Sequence, residues 1–273
     1  MQNGVVETSL KVDDLFDVKG KTVVITGGTR GIGLMIAKTF LSNGCTVYIN
    51  SRSKKSCEEA ENSLNNNPEP GYGRAYAVDA DLGNEEGCIK FCKEVGQKQA
   101  SVDVLKQVNN AGTNWAAGIE KYPDAAWDKL LALNVKSAFT MTKFLLPLLK
   151  KSSGGGRVIN IGSVHGEGTP IFETYAYSSS KAALHHLTRH LASTLAQHKI
   201  NVNCIACGFF PSKMTKEIFE SGAAQDVLDN IPLKRGGGPA DVGGMCVFLS
   251  SRASQWVTGA VIPLDGGLLI SAL

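Results

Sequence analysis

From residue 21 onward, short apolar runs rich in β-branched residues alternate with stretches whose apolar positions recur at helical spacing. "KTVVITGG" (21–28) predicts a buried strand running into glycines, and "IGLMIAKTFLSNG" (32–44) predicts the helix after it, closed by Gly44. Further strands are predicted at "CTVYINSR" (45–52), "RAYAVDADL" (74–82), "DVLKQVNNAG" (103–112), "RVINIGS" (157–163) and "INVNCIACG" (200–208), with a short final one in "GAVIPLDGG" (259–267). "WDKLLALNVKSAFTMTKFLLPLLK" (127–150) predicts a long helix in which Pro147 is placed to kink the last turns. A second long helix follows from Leu184, Leu187, Leu191 and Leu195, which share one helical face. "NNNPEPGYG" and "SSGGG" are loops.

Strand–helix alternation of this kind predicts an α/β fold whose parallel sheet is covered on both faces. Residues 209–238 show no clean period and follow a strand's C-terminal end, where a substrate-covering lid belongs in a doubly wound sheet. A length of 273 residues fits one large core, so residues 1–20 are expected as an N-terminal extension and 21–273 as a single domain.

Composition narrows the function. A net charge of +3 is too small to argue for nucleic acid or an anionic membrane surface as a partner, and no apolar run approaches bilayer length. The first twenty residues carry Glu7, Asp13, Asp14 and Asp17 and no apolar signal core, so a cytoplasmic protein is expected. Seven scattered cysteines do not form a disulfide framework. Cys204-x-x-Cys207 and the pair Cys88 and Cys92 lack further ligands at metal-site spacing and read as reduced thiols.

The first strand runs directly into "TGGTRGIG", with Gly27, Gly31 and Gly33. Small residues there let the backbone turn tightly and approach a pyrophosphate, which the next helix meets with its N-terminal N–H groups. The alternative is a glycine-rich turn without a ligand; its place between the first strand and the first helix favours a Rossmann-type dinucleotide site. Such folds place an acid at the end of the second strand for the ribose hydroxyls. Here the segment reads "NSRSKK", with Arg52, Lys54 and Lys55 and no acid. A carboxylate would repel a 2′-phosphate, whereas a guanidinium binds it in bidentate fashion, and Arg30 can flank the same group. NADP(H) is therefore expected over NAD, against the alternative of a solvated basic loop.

"TYAYSSSK" (174–181) opens the second long helix with unusual polarity. Tyr177 and Lys181 are i and i+4 and share a face; Tyr175 lies off it. A free phenol is a poor base near neutrality, and an ammonium one turn away favours its phenolate. These residues, with the T-G-x-x-x-G-x-G loop, "NNAG" (109–112), Asn134 and Ser163 fourteen positions before Tyr177, resemble the short-chain dehydrogenase/reductase family across nearly the whole chain.

That resemblance implies a single-domain fold in which Tyr177 is the acid/base, Lys181 also holds the nicotinamide ribose, Ser163 stabilises the substrate oxygen and Asn134 holds a water for proton relay. It implies cofactor contacts from Gly27, Thr29, Arg30, Gly31, Ile32 and Gly33, from Ser51 and Arg52, from Asp81 and Leu82 at the adenine, from Asn110 and Gly112, and from Ser212 at the carboxamide. The serines at 178–180 are expected to let the cofactor lie against the helix, Tyr175 to pack or line the cleft, and His165 to shape it. Two departures stand out. Lys106 and Gln107 put polar residues in a central strand, where a bulge is expected, and Cys207-Gly208 replaces the family's Pro-Gly, which loosens the entry to the lid.

"VYINSRS", "YPDAAWDKLLALNVKS" and "SKAALHHLTRHLA" resemble the 3-oxoacyl-carrier-protein reductases, in their rhamnolipid-type branch. The expected function is NADPH-dependent reduction of a small-molecule ketone or acyl-thioester by a homotetramer or dimer. The rivals are an NAD(P)-linked alcohol or sugar dehydrogenase and a catalytically silent dinucleotide-binding sensor or scaffold.

Overall fold

The computed structural model describes residues 9–107, 115–170, 172–211 and 224–271. Seven strands form one parallel sheet: β1 (Thr22–Ile25), β2 (Thr46–Ser51), β3 (Arg74–Asp79), β4 (Val104–Gln107), β5 (Arg157–Ile161), β6 (Asn201–Cys207) and β7 (Val261–Leu264). Their order is β3-β2-β1-β4-β5-β6-β7. The path therefore runs outward from β1 to β3, returns to β4 beside β1, and continues to the other edge. The crevice at the C-terminal ends of β1 and β4 is the reversal point at which ligands bind in such sheets.

The period of two along each strand separates two cores. Val23 and Ile25 pack with Ile36 and Phe40 of α1 (Gly31–Ser42) and with Val242 and Cys246 of the late helix Pro239–Ser250. Val24 and Tyr48 face the other way, onto Phe91 and Val95 of α3 (Glu85–Lys98) and Met141 and Leu145 of α5 (Ser137–Leu149). Each such side chain removed from water contributes about 1.5–3 kcal/mol. Between them, α2 (Lys54–Asn65) packs on β2 and β3, and α6 (Tyr175–Leu195) lies on β6.

Several expectations are corrected. β4 keeps a one-to-one register through Lys106↔Ile25 and Gln107↔Asn160, so it carries no bulge up to Gln107. Its backbone pairing on both sides fixes the register whatever the side chains. The long helix starts earlier and is broken into α4 (Asp124–Leu131), a π turn (Ala132–Lys136) and α5. Pro147 lies inside α5. Of the lid, residues 212–223 lie outside the described residues; Ala224–Asp229 is a short helix.

Candidate active site

The turn after β1 is shaped by glycine. Gly27 and Gly31 have φ of 63° and 52°, a region where a Cβ is strained. A Cβ at Gly33 would overlap the Gly27 carbonyl oxygen, and one at Gly28 would lie 2.5 Å from Ile49 Cγ2. The backbone thus forms a close cradle against the first turn of α1, whose N-cap Arg30 closes no N–H with its side chain. Buried Asn50 braces it: its Oδ1 accepts from Gly27 N–H at 3.4 Å, and its amide donates to the Ala80 carbonyl at 2.8 Å. A β2 asparagine in "INSR" was the signal for this brace. Such a cradle fits a dinucleotide pyrophosphate.

Thr29 and Ile32 are half-buried on this turn, and Arg30 is exposed. At the end of β2, Ser51 Oγ accepts from Ser53 N–H at 3.3 Å, and Arg52 is exposed beyond it. Lys54 and Lys55 instead run along α2 toward Glu58 and Glu59, at 3.9 and 3.8 Å. Among the basic trio, Arg52 is thus the residue suited to a 2′-phosphate. Asp81 is exposed, with Oδ1 accepting from Gly83 N–H at 3.0 Å, and Leu82 is buried. Asn110, Gly112 and Ser212 lie outside the described residues.

The end of β5 and the start of α6 bring the other residues together. Lys181 is buried, and its ammonium donates to the carbonyl oxygen of Ile161, the last residue of β5, at 2.8 Å. The same ammonium lies 5.6 Å from the centre of the Tyr177 ring. Ser163, two residues beyond Ile161, caps a 3-10 turn (Val164–Gly166), its Oγ accepting from His165 N–H at 3.2 Å. The His165 ring stands edge-on to Tyr177 at 6.1 Å, and burial pushes its pKa below the usual histidine value.

Tyr175 faces elsewhere. Its hydroxyl donates to Glu173 at 2.9 Å, and its ring packs edge-on against Tyr122 at 5.3 Å. Tyr122 was missed by sequence reasoning. Its hydroxyl accepts the Ala176 N–H at 3.2 Å and donates to the Trp115 carbonyl at 3.1 Å, so it holds the first turn of α6 one residue before Tyr177. Asn134, buried on the π turn, donates from Nδ2 to Ser180 Oγ at 2.9 Å, and Ser180 donates to the Tyr177 carbonyl at 2.7 Å. Ser180 is fully buried, so it joins the π turn to α6 and does not line a cofactor surface; Ser179 is the exposed serine of the run.

Residues 21–223 match the family described as short chain dehydrogenase. The chain belongs to that family. One relative is the rhamnolipids biosynthesis 3-oxoacyl-[acyl-carrier-protein] reductase of Pseudomonas aeruginosa, 42% identical over 256 residues, covering 92% of this chain and 97% of the relative. A second is gluconate 5-dehydrogenase of Gluconobacter oxydans, 31% identical, covering 94% and 98%. The solved structure of the Pseudomonas aeruginosa RhlG/NADP active-site complex superposes with a TM-score of 0.87 at 41% identity, covering 94% of this chain and 99% of that one. As a short-chain dehydrogenase, the protein is an oxidoreductase with a Rossmann-like sheet.

Proposed function

We propose that this short-chain dehydrogenase is an NADPH-dependent carbonyl reductase that converts a ketone, of the 3-oxoacyl type or similar, to a secondary alcohol. The observation that carries this reading is the half-exposed Tyr177 ring beside a buried Lys181 pinned to Ile161 at the end of β5, two strands along the sheet from the β1 that leads into the glycine cradle. When bound, the reduced nicotinamide supplies hydride. Tyr177 then gives its hydroxyl proton to the carbonyl oxygen, and the adjacent ammonium stabilises the phenolate left behind. The Ser163 oxygen already accepts the His165 N–H, so its own hydroxyl hydrogen is available to the substrate oxygen as charge builds there. Asn134 would hold a water through which Lys181 and then Tyr177 regain the proton.

Gly27, Thr29, Arg30, Gly31, Ile32, Gly33, Ser51, Arg52, Asp81, Leu82, Asn110, Gly112 and Ser212 would hold the cofactor, with Arg52 choosing NADPH by its charge. The RhlG neighbour, a complex with NADP, and the 3-oxoacyl name of the first relative support cofactor and substrate class. The gluconate dehydrogenase supports the second reading, a sugar alcohol oxidised on the same scaffold. Loss of NADPH absorbance with a set of β-keto esters and keto-sugars separates the two. Tight NADPH binding without turnover of any ketone would instead favour a silent sensor.

The enzyme is further proposed to act in the cytoplasm as a homotetramer. Seven buried cysteines suit a reducing compartment. Among the described residues no helix is long and apolar enough to cross a membrane. Leu131 and Phe139, 39% and 49% exposed on α4 and α5, offer an apolar face to a second copy. Light scattering that returns a monomer at micromolar concentration would overturn the assembly. We further propose residues 1–20 as an N-terminal extension to the domain; in its described part, the Phe16 ring meets the Phe248 ring at 6.3 Å.

A further inference from the structure

The face of α6 that carries Tyr177 and Lys181 continues one turn further to His185, which the mechanism above does not use. Its imidazole is 2% exposed, and among the described residues neither ring nitrogen reaches a hydrogen-bond partner. The ring is seated against the turn that presents Ser163. A Cβ at Gly162 would overlap His185 Nε2, and a Cβ at Gly166 would lie 2.7 Å from its Cε1. The residues before and after the Ser163–His165 segment are thus both glycines in contact with one histidine ring. A Cβ at Gly162 would also lie 2.6 Å from Cys204 Sγ of β6, so the thiol borders the same turn.

The ionisable groups around the ring do not favour a second charge. Lys181 and Arg189 lie on its own helix, and Cys204 on β6 is a neutral thiol that burial pushes up to about 12. Glu167, just past the 3-10 turn, is the acid that faces the ring among the described residues, with Oε1 3.7 Å from Nδ1. Burial first, then Lys181 and Arg189, outweigh that carboxylate and lower the histidine to about 4. Neutral His185 therefore fits beside the Lys181 ammonium; an imidazolium there would push against it and against the turn.

We propose that neutral His185 is a positioning residue for the reduction, a buttress that sets the Ser163 turn against Lys181, and that its protonation ends turnover at acid pH. This rests on the carbonyl-reductase reading of the same site. A displacement of a donor by about 1 Å costs on the order of 10²-fold in rate, so a lost buttress is visible in kinetics.

The test is single-turnover ketone reduction by the full-length enzyme in rapid-mixing pH jumps, beside an NMR titration of the histidine rings. The wild type should lose hydride transfer over one proton, with a midpoint near 4 that coincides with His185. His185→Gln keeps a neutral side chain of similar size; it should hold the neutral-pH rate within about threefold and lose that acid limb. His185→Ala should fall by about tenfold or more in turnover while NADPH affinity stays within about threefold. Glu167→Gln removes the carboxylate that favours the imidazolium and should move both midpoints down together by about half a pH unit or more. An acid limb unchanged in His185→Gln, or His185→Ala turning over like wild type, would overturn the proposal with the reductase reading intact. If the histidine variants do not fold, a limb that stays put in Glu167→Gln while the His185 titration moves overturns it equally. Wild type inert toward every ketone at every pH would remove both readings.

Discussion

Lys181 sits one turn below Tyr177, its ammonium 5.6 Å from the centre of the phenol ring and tied to the Ile161 carbonyl at 2.8 Å. Tyr175, two residues away, gives its hydroxyl to Glu173. The two tyrosines therefore predict opposite outcomes. Tyr177→Phe keeps the ring's packing and should lower single-turnover hydride transfer by about 10²–10⁴-fold, with fold and NADPH affinity retained. Tyr175→Phe should cost little. Lys181→Met should damage both turnover and NADPH binding. A dead Tyr175→Phe beside an active Tyr177→Phe would exclude Tyr177 as the proton donor.

Cofactor choice is expected to follow Arg52. Its exposed guanidinium stands at the end of β2, while Lys54 and Lys55 turn toward Glu58 and Glu59. Arg52→Ala should weaken NADPH by roughly 1.5–3 kcal/mol, about ten- to a hundredfold, and leave NADH nearly unchanged. Because the site is exposed, the loss should shrink as ionic strength rises. Isothermal titration of both cofactors at two salt concentrations reads this directly. Equal weakening of NADH and NADPH would place the 2′-phosphate elsewhere.

The Asn134–Ser180 hydrogen bond joins the π turn to α6 in a fully buried setting. Ser180→Ala removes that acceptor from a buried amide, at a cost of about 1–3 kcal/mol. For a domain of this size the melting temperature should fall by about 2–10 °C. Turnover should fall too, since the Ser180 bond to the Tyr177 carbonyl is lost with it. A variant that melts and turns over like wild type would leave the π turn without this anchor.

Much of this geometry could be read from spacing alone. Residues four apart on a helix must share a face, so Tyr177 with Lys181 followed directly, and so did the exclusion of Tyr175. The strands were legible because β-branched runs end in glycine or polar residues, as at "KTVVITGG". The π turn was not, because one extra residue per turn leaves no mark in the apolar period at Leu130, Leu131 and Leu133. Ser180 was misplaced because its surroundings belong to Asn134, 46 residues earlier. His185 lay on the legible face, yet its burial depends on the space left by Gly162 and Gly166, which only the folded chain brings to it. Tyr122 likewise acts through a backbone N–H of another element.

The buried His185 also makes a prediction about stability that is independent of catalysis. Its folded value is about 4, below the ordinary 6.5 that it regains on unfolding. Below about pH 6.5 the unfolded chain takes up a proton that the folded protein refuses until about 4, so stability is complete at neutral pH and falls as pH drops through that window. The linkage amounts to roughly 2 kcal/mol by pH 5 and approaches roughly 3 kcal/mol at pH 4. His165, also lowered by burial, acts in the same direction and is present in both proteins compared. Urea unfolding of wild type and His185→Gln at pH 7 and pH 5, at one fixed protein concentration, isolates the difference. Wild type should lose about 2 kcal/mol more than the variant over that interval. If both lose the same amount, His185 is not held neutral by the fold, and the cluster of Gly162, Gly166, Lys181 and Cys204 around it does not exclude the charge.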